Sequence, residues 1–281
     1  MADAILNVIG WINNLIMGVA EDGSNLTGTM RAFMPTLYGF TSSIMTTVVM
    51  PVAYTILALF FVLELYKASV RTEGMGGGSA NLGAEMVFRV MFRMVICKVA
   101  VDSVPIILNA IYDVTTYVTR GVAGVLSGAG ASGGTIDTDA LEVAVRSLDF
   151  WSGLVCLILC FIIYLITLVA VAVATVIIVT RFIELYVHFA IAPIPIATFP
   201  SDEMSQIGKS FLKSFAAVCL QGTLIFIVLS FFPILFAEAF LEDKDPGSIF
   251  LTLLGIMGYS IALILAVFSA GKWAKAICNA M

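Results

Sequence analysis

The chain contains apolar runs that are long enough to form membrane helices. The longest extends from Trp151 to Thr180 and contains no charged residue. A helix needs roughly 20 apolar residues to cross a bilayer core of about 30 Å. Four runs meet this requirement and predict membrane-spanning helices at about 45–65, 151–180, 215–236 and 249–270.

A fifth segment, at about 86–118, is apolar but carries charges. They fall mostly three to five positions apart and predict a polar stripe on an otherwise apolar helix, formed by Arg89, Arg93, Lys98 and Asp102. Lys98 and Asp102 can pair across one turn. Charges at membrane depth cost roughly 3 kcal/mol each and normally face a bundle interior or a water-filled cavity. The segment therefore predicts either a fifth span or an interfacial elbow that does not cross.

The distribution of basic residues predicts an orientation. If 86–118 crosses, ten of the 14 Lys and Arg residues fall on one side of the membrane. The other four are Arg31, Arg120, Arg146 and Lys244. Cytoplasmic loops are enriched in Lys and Arg. We therefore expect five crossings, with the N-terminus outside and the C-terminus in the cytoplasm.

The N-terminal segment predicts a different kind of helix. In residues 1–22, the apolar residues Ile5, Ile9, Ile12, Ile16 and Val19 recur at helical spacing, and asparagines interrupt the rest. This pattern is typical of an amphipathic helix that lies on, or dips into, a membrane interface. The predicted fold class is thus an all-α polytopic integral membrane protein, with one membrane domain over 1–281.

Composition supports lipid as the solvent of most of the chain. Hydrophobic residues make up 60% and charged residues 12%, whereas soluble domains are about half apolar and a quarter charged. We find no phosphate-binding GxxxxGK[ST] loop, no HExxH and no GxSxG, and there is one histidine. We therefore expect no enzymatic activity, no cofactor and no metal site. The five cysteines are interpreted as small buried apolar residues.

Residues 181–214 predict a cytoplasmic helix–break–helix corner between the third and fourth apolar runs. Arg181 and Glu184 are one turn apart and can neutralise each other. Pro193 and Pro195 each lack an N–H and disfavour helical conformation in the residue before them, so the helix should end there.

A second helix should follow the break. Ser201 or Asp202 could cap it, and it carries Lys209 and Lys213 before Gln221 enters the fourth run. Two interpretations stay open. The corner is either a basic inner-leaflet surface with snorkelling lysines, or a rigid elbow that docks a partner or shapes a channel mouth.

The stretch RFIELYVHFAIAPIPIATFP, followed by QIGKSFLKSFAAVCLQG, resembles the core of TrbL-type conjugal transfer proteins. These are polytopic inner-membrane components of type IV secretion systems. The likeness consists of an arginine closing a long span, the Ala192–Pro193 break, and a Gly-x-x-Phe/Leu-Lys-x-Phe opening of the next span. It covers roughly residues 150–235.

The resemblance implies a channel or scaffold subunit in the bacterial cytoplasmic membrane. It implies that several copies of the chain form a homo-oligomeric ring. Other secretion-system membrane subunits and cytoplasmic ATPases would be its partners. The assembly would pass single-stranded DNA with its relaxase, or protein, across the membrane. It places seven residues in the helix–break–helix core and makes none of them catalytic: Arg181, Glu184, Pro193, Pro195, Lys209, Lys213 and Gln221.

The polar stripe has two possible roles in such a protein. Its cations could face a lumen and attract the phosphates of single-stranded DNA. They could instead bind anionic phospholipid headgroups. We favour lipid, because no aromatic stacking platform accompanies the cations on that stripe.

Two other functions remain possible from the sequence. A non-channel membrane anchor for a partner complex would need only the spans and the basic corners. A secondary transporter or permease would be expected to show a broken-helix or acidic site in each of two halves. Asp102 and the break at Pro105 could form one half, and we find no second half.

Overall fold

The computed structural model of the chain describes residues 2–24, 26, 28–74, 80–128, 150–241 and 248–280. The described part is 92% helix and contains no strand. Its α-helices are α1 Ala2–Ser24, α2 Met30–Phe33, α3 Pro35–Ile44, α4 Met50–Gly74, α5 Ala80–Asp102, α6 Val104–Gly128, α7 Phe150–Ile191, α8 Pro193–Ile196, α9 Ser205–Leu241 and α10 Ser248–Ile277.

Within the described residues, four helical segments are long and apolar enough to cross a membrane. They are Pro35–Arg71, Phe150–Ile191, Ser205–Phe232 and Leu253–Ile277. This confirms the all-helical, multi-pass fold class, because each of the four clearly apolar runs lies within one of the observed helices. The orientation stays a prediction, and two of the residues it uses, Arg146 and Lys244, lie outside the described part.

The fifth segment is two helices rather than one. Ala84–Asp102 and Val104–Val125 meet at a bend of 63°. The bend follows from Pro105, which cannot donate to the preceding turn and disfavours helical conformation in the residue before it. After the break, Ile106 and Ile107 both donate to the Ser103 carbonyl at 3.0 Å. The pair is long enough for one broken span or for a re-entrant segment.

The first span contains a short π-helical turn. Met45–Val49 joins α3 to α4 without ending the helix. Pro51 lies two residues after this turn, and its ring would crowd the carbonyl one turn earlier in a regular α-helix. A wider turn at this place lets the helix continue past the proline.

One compact unit consists of 1–28, 115–181 and 220–274. Within it, α1 buries Ile5, Ile9 and Ile12, which are at most 3% exposed. This confirms the amphipathic character of α1 for these residues, whereas the side chains of Ile16 and Val19 lie outside the described part. Thr119 and Thr223 share a hydrogen bond of 2.8 Å, as small polar residues do between membrane helices.

The second unit consists of 29–114, 182–219 and 275–281. Here α4 packs on α5, and the short α8 packs on both. Aromatic contacts fix the start of the first span, where the rings of Phe33 and Phe182 stack with their centroids 3.6 Å apart. The Tyr186 hydroxyl donates to the Met30 carbonyl at 2.8 Å. The candidate functional site lies mainly in this unit.

Candidate functional site

The predicted helix break is present between α7 and α9. α7 ends at Ile191, Pro193 and Pro195 lie in the single turn of α8, and α9 begins at Ser205. The break therefore occurs where the two prolines remove backbone donors. Pro193 is buried and Pro195 is half-buried.

The corner is a buried turn rather than a solvent loop. Ala192 and Ala197 are fully buried, and Thr198 and Ser201 are nearly so. Backbone and side-chain bonds within the turn satisfy its polar groups: the Pro195 carbonyl accepts from the Thr198 hydroxyl at 2.8 Å. Buried backbone polar groups require this kind of internal pairing.

A hydrogen-bonded turn at Ser201 leads into α9. The Met204 N–H donates to the Ser201 hydroxyl at 3.4 Å, and the Ser205 N–H donates to the Ser201 carbonyl at 2.9 Å. Ser201, rather than Asp202, therefore provides the side-chain oxygen for the turn that precedes α9, and the helix itself begins four residues later than the predicted cap.

The acidic residues after Ser201 tie the corner to α4 and α5. Lys67 of α4 donates to Glu203 at 3.0 Å and lies 3.5 Å from Glu64. Arg93 of α5 pairs with Asp202 at 2.6 Å. We call these two contacts, Lys67–Glu203 and Arg93–Asp202, the corner clamp.

Arg93 makes a further contact that fixes its direction. Its Nη2 donates to the Phe199 carbonyl at 3.4 Å. One guanidinium thus holds both a carboxylate and a backbone oxygen of the corner, which suits its planar array of donors. The sequence did not identify Asp202 and Glu203 as partners of these cations; the available signal was an acidic pair directly after Ser201.

A second polar cluster lies at the end of α5. Lys98 donates to Asp102 at 2.8 Å, which confirms the predicted pair. The Tyr54 hydroxyl of α4 donates to the other oxygen of Asp102 at 2.6 Å. The Lys98 ammonium also lies 5.9 Å from the centre of the Tyr54 ring, within reach of a cation–π contact. We call these three residues the Tyr54 cluster.

The structure divides the predicted polar stripe into three parts. Arg93 contacts the corner, whereas Lys98 and Asp102 contact Tyr54. Arg89 is exposed and pairs with Glu85 at 3.3 Å on its own helix. Arg89 and Lys98 are nine residues apart, which is about two and a half turns and therefore opposite faces.

Arg181 and Gln221 each lie against a glycine in the first unit. Arg181 is 3% exposed, and a Cβ placed on Gly222 would overlap its guanidinium. A Cβ on Gly271 would lie 3.2 Å from the Gln221 amide nitrogen. These glycines make room for polar side chains inside the helix bundle, and only the position of Gly222 beside Gln221 hinted at this in the sequence.

The remaining predicted residues lie on or near the surface of the corner. Lys209 and Lys213 are exposed on α9, and Met204 and Ile207 expose apolar side chains at or just before the start of the same helix. Glu184 is half-buried, and its carbonyl lies 2.8 Å from His188 Nδ1. The pairing of Glu184 with Arg181 stays a prediction.

Gly208 of the resembling motif brings α9 close to the corner. A Cβ at this position would lie 2.6 Å from the Pro195 carbonyl oxygen and 2.8 Å from the Phe199 ring. Only glycine allows this approach without a shift of the backbone. The motif residue thus has a packing role in setting the corner geometry.

Comparison with known proteins agrees with the predicted resemblance. A family model described as TrbL/VirB6 plasmid conjugal transfer like protein matches residues 15–193. The match includes Arg181, Glu184 and Pro193 and ends before Lys209. No curated protein and no solved structure matches the chain. Because the family model covers more than half of the chain, this multi-pass membrane protein belongs to the TrbL/VirB6 plasmid conjugal transfer like family.

Proposed function

We propose that the chain is a non-enzymatic channel or scaffold subunit of a conjugative type IV secretion system in the bacterial cytoplasmic membrane. Several copies would form a homo-oligomeric ring that associates with other membrane subunits of the system. The ring would help single-stranded DNA with its relaxase, or protein, to cross the membrane. The family match over 15–193 carries this proposal. Four or five candidate spans support it, because a subunit of this kind must be embedded in the bilayer.

Transfer from donor cells tests the proposal. Deleting the coding sequence from a donor should reduce transfer to the background level, and the wild-type chain supplied in trans should restore it. Native mass measurement of the purified protein in detergent tests the ring and should give several copies. Unchanged transfer in the deletion strain contradicts the proposed function, and a strictly monomeric particle contradicts the ring.

The corner supports docking of a cytoplasmic ATPase of the secretion system. Lys209, Lys213, Met204 and Ile207 expose both charge and apolar surface at the start of α9. The corner clamp and the buried turn fix the backbone that precedes this surface. Exposed cations around apolar contacts are a common arrangement in interfaces, where charge steers association.

Charge reversal of the two lysines tests the docking surface. Lys209→Glu with Lys213→Glu should lower both ATPase co-purification and transfer while the amount of protein in the membrane stays unchanged. Lys272→Glu with Lys275→Glu is the matched control. These lysines are also exposed, and they lie about one turn apart on α10, as Lys209 and Lys213 do on α9. Equal loss in both double variants would show a general charge effect instead of a docking site.

The cations of α5 support a role toward anionic phospholipid more than toward DNA. Arg89, Arg93 and Lys98 each hold a carboxylate within 3.3 Å, which lowers the positive charge offered to a phosphate chain. Phe88 and Phe92 are exposed on the same helix, with their ring centroids 6.5 Å apart, but apolar surface of this kind is also expected toward lipid.

Arg89 is the clean probe of these two roles, because Arg93 and Lys98 also hold other helices. Arg89→Glu should leave membrane insertion and DNA transfer unchanged while weakening binding to vesicles that contain anionic lipid. A large fall in transfer at a normal protein level would favour a DNA path along α5.

A further inference from the structure

The outward side of α6 is polar. Asp113, Tyr117 and Arg120 are exposed and follow one another at intervals of four and three residues, so they share one side of the helix. The inward side is apolar, since Leu108 and Tyr112 are at most 1% exposed. A helix surrounded by lipid should show the reverse arrangement, with its charges turned inward. We call Asp113, Tyr117, Arg120 and the exposed Gly121 the polar face of α6.

Hydrogen bonds to α9 place the polar face at membrane depth. The Thr119 and Thr223 hydroxyls share a bond of 2.8 Å, and the Thr223 hydroxyl donates to the Thr115 carbonyl at 3.3 Å. Thr223 lies in an uncharged run of α9, residues 214–237. A stretch of roughly 20 residues crosses a bilayer core, and every such stretch within this run contains Thr223. This depth is compatible with α5–α6 as a broken span and as a re-entrant segment.

The outward side of α10 provides the contrast. Its exposed side chains at helical spacing are all apolar: Leu254, Ile261, Leu265 and Phe268. Gly258 is exposed on the same side of this helix. Acyl chains can surround such a surface, whereas they cannot solvate the carboxylate and the guanidinium that α6 exposes. The outward sides of α6 and α10 therefore require different surroundings.

We propose that the polar face of α6 lines the water-filled path through the ring. This rests on the proposed channel function and identifies the helix that forms the wall. Charged residues within membranes normally face a bundle interior or a water-filled cavity. Asp113 and Arg120 are exposed, so the interior of the subunit does not surround them. A cyclic ring turns the same side of every copy toward one central axis, and a lumen there supplies the water that both charges need.

A dry contact between α6 helices of neighbouring copies does not fit this face. Rotation about an axis normal to the membrane keeps every residue at its own depth. Asp113 and Arg120 are about 10 Å apart along α6, so such a contact would bring like charges together. Across a water-filled lumen the like charges are separated and solvated, and their repulsion is screened.

The polar face also suits passage more than tight binding. A ring would carry one belt of Asp113 carboxylates and a second belt of Arg120 guanidiniums, so neither sign continues along the wall. Gly121 and Gly124 keep the wall low, because a Cβ on either meets nothing within 4 Å. Conduction requires contacts weak enough for the substrate to leave. A wall of alternating charge and small residues meets that requirement for a long charged substrate.

Cysteine labelling of the full-length protein in spheroplasts tests the polar face. Gly121→Cys is the probe, because the position has open space for a side chain. Gly258→Cys is the matched control, since it is the same change at an exposed glycine with open space on the apolar side of α10. Both are made in a Cys278→Ser background, which keeps the four buried cysteines. The reagent is a charged methanethiosulfonate, which needs a thiolate in water, applied before and after lysis.

We expect Gly121→Cys to be labelled several-fold faster than Gly258→Cys. Treating intact donor cells with the reagent should then lower transfer several-fold for Gly121→Cys and leave it unchanged for Gly258→Cys. Tyr117→Cys repeats the test one turn away if Gly121→Cys does not reach the membrane.

Three results would overturn the lumen assignment. They are equal labelling of the two cysteines, complete labelling of Gly121→Cys without loss of transfer, and a disulfide between copies that protects Gly121→Cys from the reagent. The rate of labelling does not depend on transfer. Normal transfer in the deletion strain therefore contradicts the channel function, whereas equal labelling contradicts only the place of α6 in its wall.

Discussion

Gly222 decides how a buried polar group fits among the helices. Gly222 lies against the buried guanidinium of Arg181, and a methyl group there would overlap it. Arg181 cannot swing into solvent to make room, because it is 3% exposed. Inserting a carbon into a well-packed site typically costs 1–3 kcal/mol, so we expect Gly222→Ala to lower the free energy of unfolding by about 2 kcal/mol.

A double-mutant cycle measured by denaturant unfolding in detergent checks this prediction. The loss caused by Gly222→Ala should largely disappear in an Arg181→Ala background, because the overlapping group is gone. Gly255→Ala is the control, since a Cβ there meets nothing within 4 Å. Additive losses in the double variant would mean that Gly222 acts through something other than Arg181.

Gly208 provides a second residue-scale prediction, in the corner. Here the obstruction is the Pro195 backbone carbonyl at 2.6 Å, which cannot rotate away. Gly208→Ala should therefore lower thermal stability, with a loss of about 2 kcal/mol or more. Gly39→Ala has open space and should be neutral or stabilising, because alanine favours helix by about 1 kcal/mol over glycine. Equal melting temperatures for the two variants would contradict this packing role.

At the scale of elements, the corner clamp joins the turn before α9 to α4 and α5. Arg93 and Asp202 are 40% and 69% exposed, so solvent screens their attraction, and pairs of this kind contribute about 0.2–1 kcal/mol. Asp202→Arg should destabilise the corner, and Arg93→Asp with Asp202→Arg should restore part of the loss.

Unfolding of the single and double variants at low and high salt measures this coupling. The coupling energy should shrink as salt rises, because ions screen exposed charges. Arg89 and Glu85 form the comparison pair, since Arg89 is 80% exposed, against 40% for Arg93, and both residues lie on one helix. A coupling for Arg93–Asp202 no larger than that for Arg89–Glu85 would show that the clamp does not hold the corner.

The elements could be predicted from sequence because each depends on local information. Apolar length identifies a span, and Pro193 and Pro195 identify the break by chemistry that acts within one turn. The clamp could not be predicted in this way, since Lys67 and Glu203 are 136 positions apart. The contact between Gly222 and Arg181 could not be predicted either, because the two residues lie on different helices. The bend after Asp102 was the intermediate case: Pro105 signalled a break, but not its angle.

At the scale of the whole molecule, the bent pair α5–α6 decides where the chain ends lie. An odd number of crossings puts the two ends on opposite sides of the membrane, and an even number puts them on the same side. Four helices are straightforward candidates, and the pair bent by 63° is the fifth. The excess of Lys and Arg near one set of span ends predicts five crossings, with the N-terminus outside.

Cysteine accessibility in spheroplasts checks the number of crossings and the orientation together. Ala4→Cys and Asn279→Cys place a thiol at exposed positions near each end. Each is made in a Cys278→Ser background, which removes the half-buried native thiol and keeps the four buried ones. A membrane-impermeant maleimide should label Ala4→Cys in intact spheroplasts and Asn279→Cys only after lysis, while the background variant stays unlabelled. Labelling of both positions before lysis, or of neither, would mean that α5 and α6 enter and leave on one side. The Tyr54 cluster would then lie at the bend of a re-entrant segment, because Asp102 is the last residue of α5.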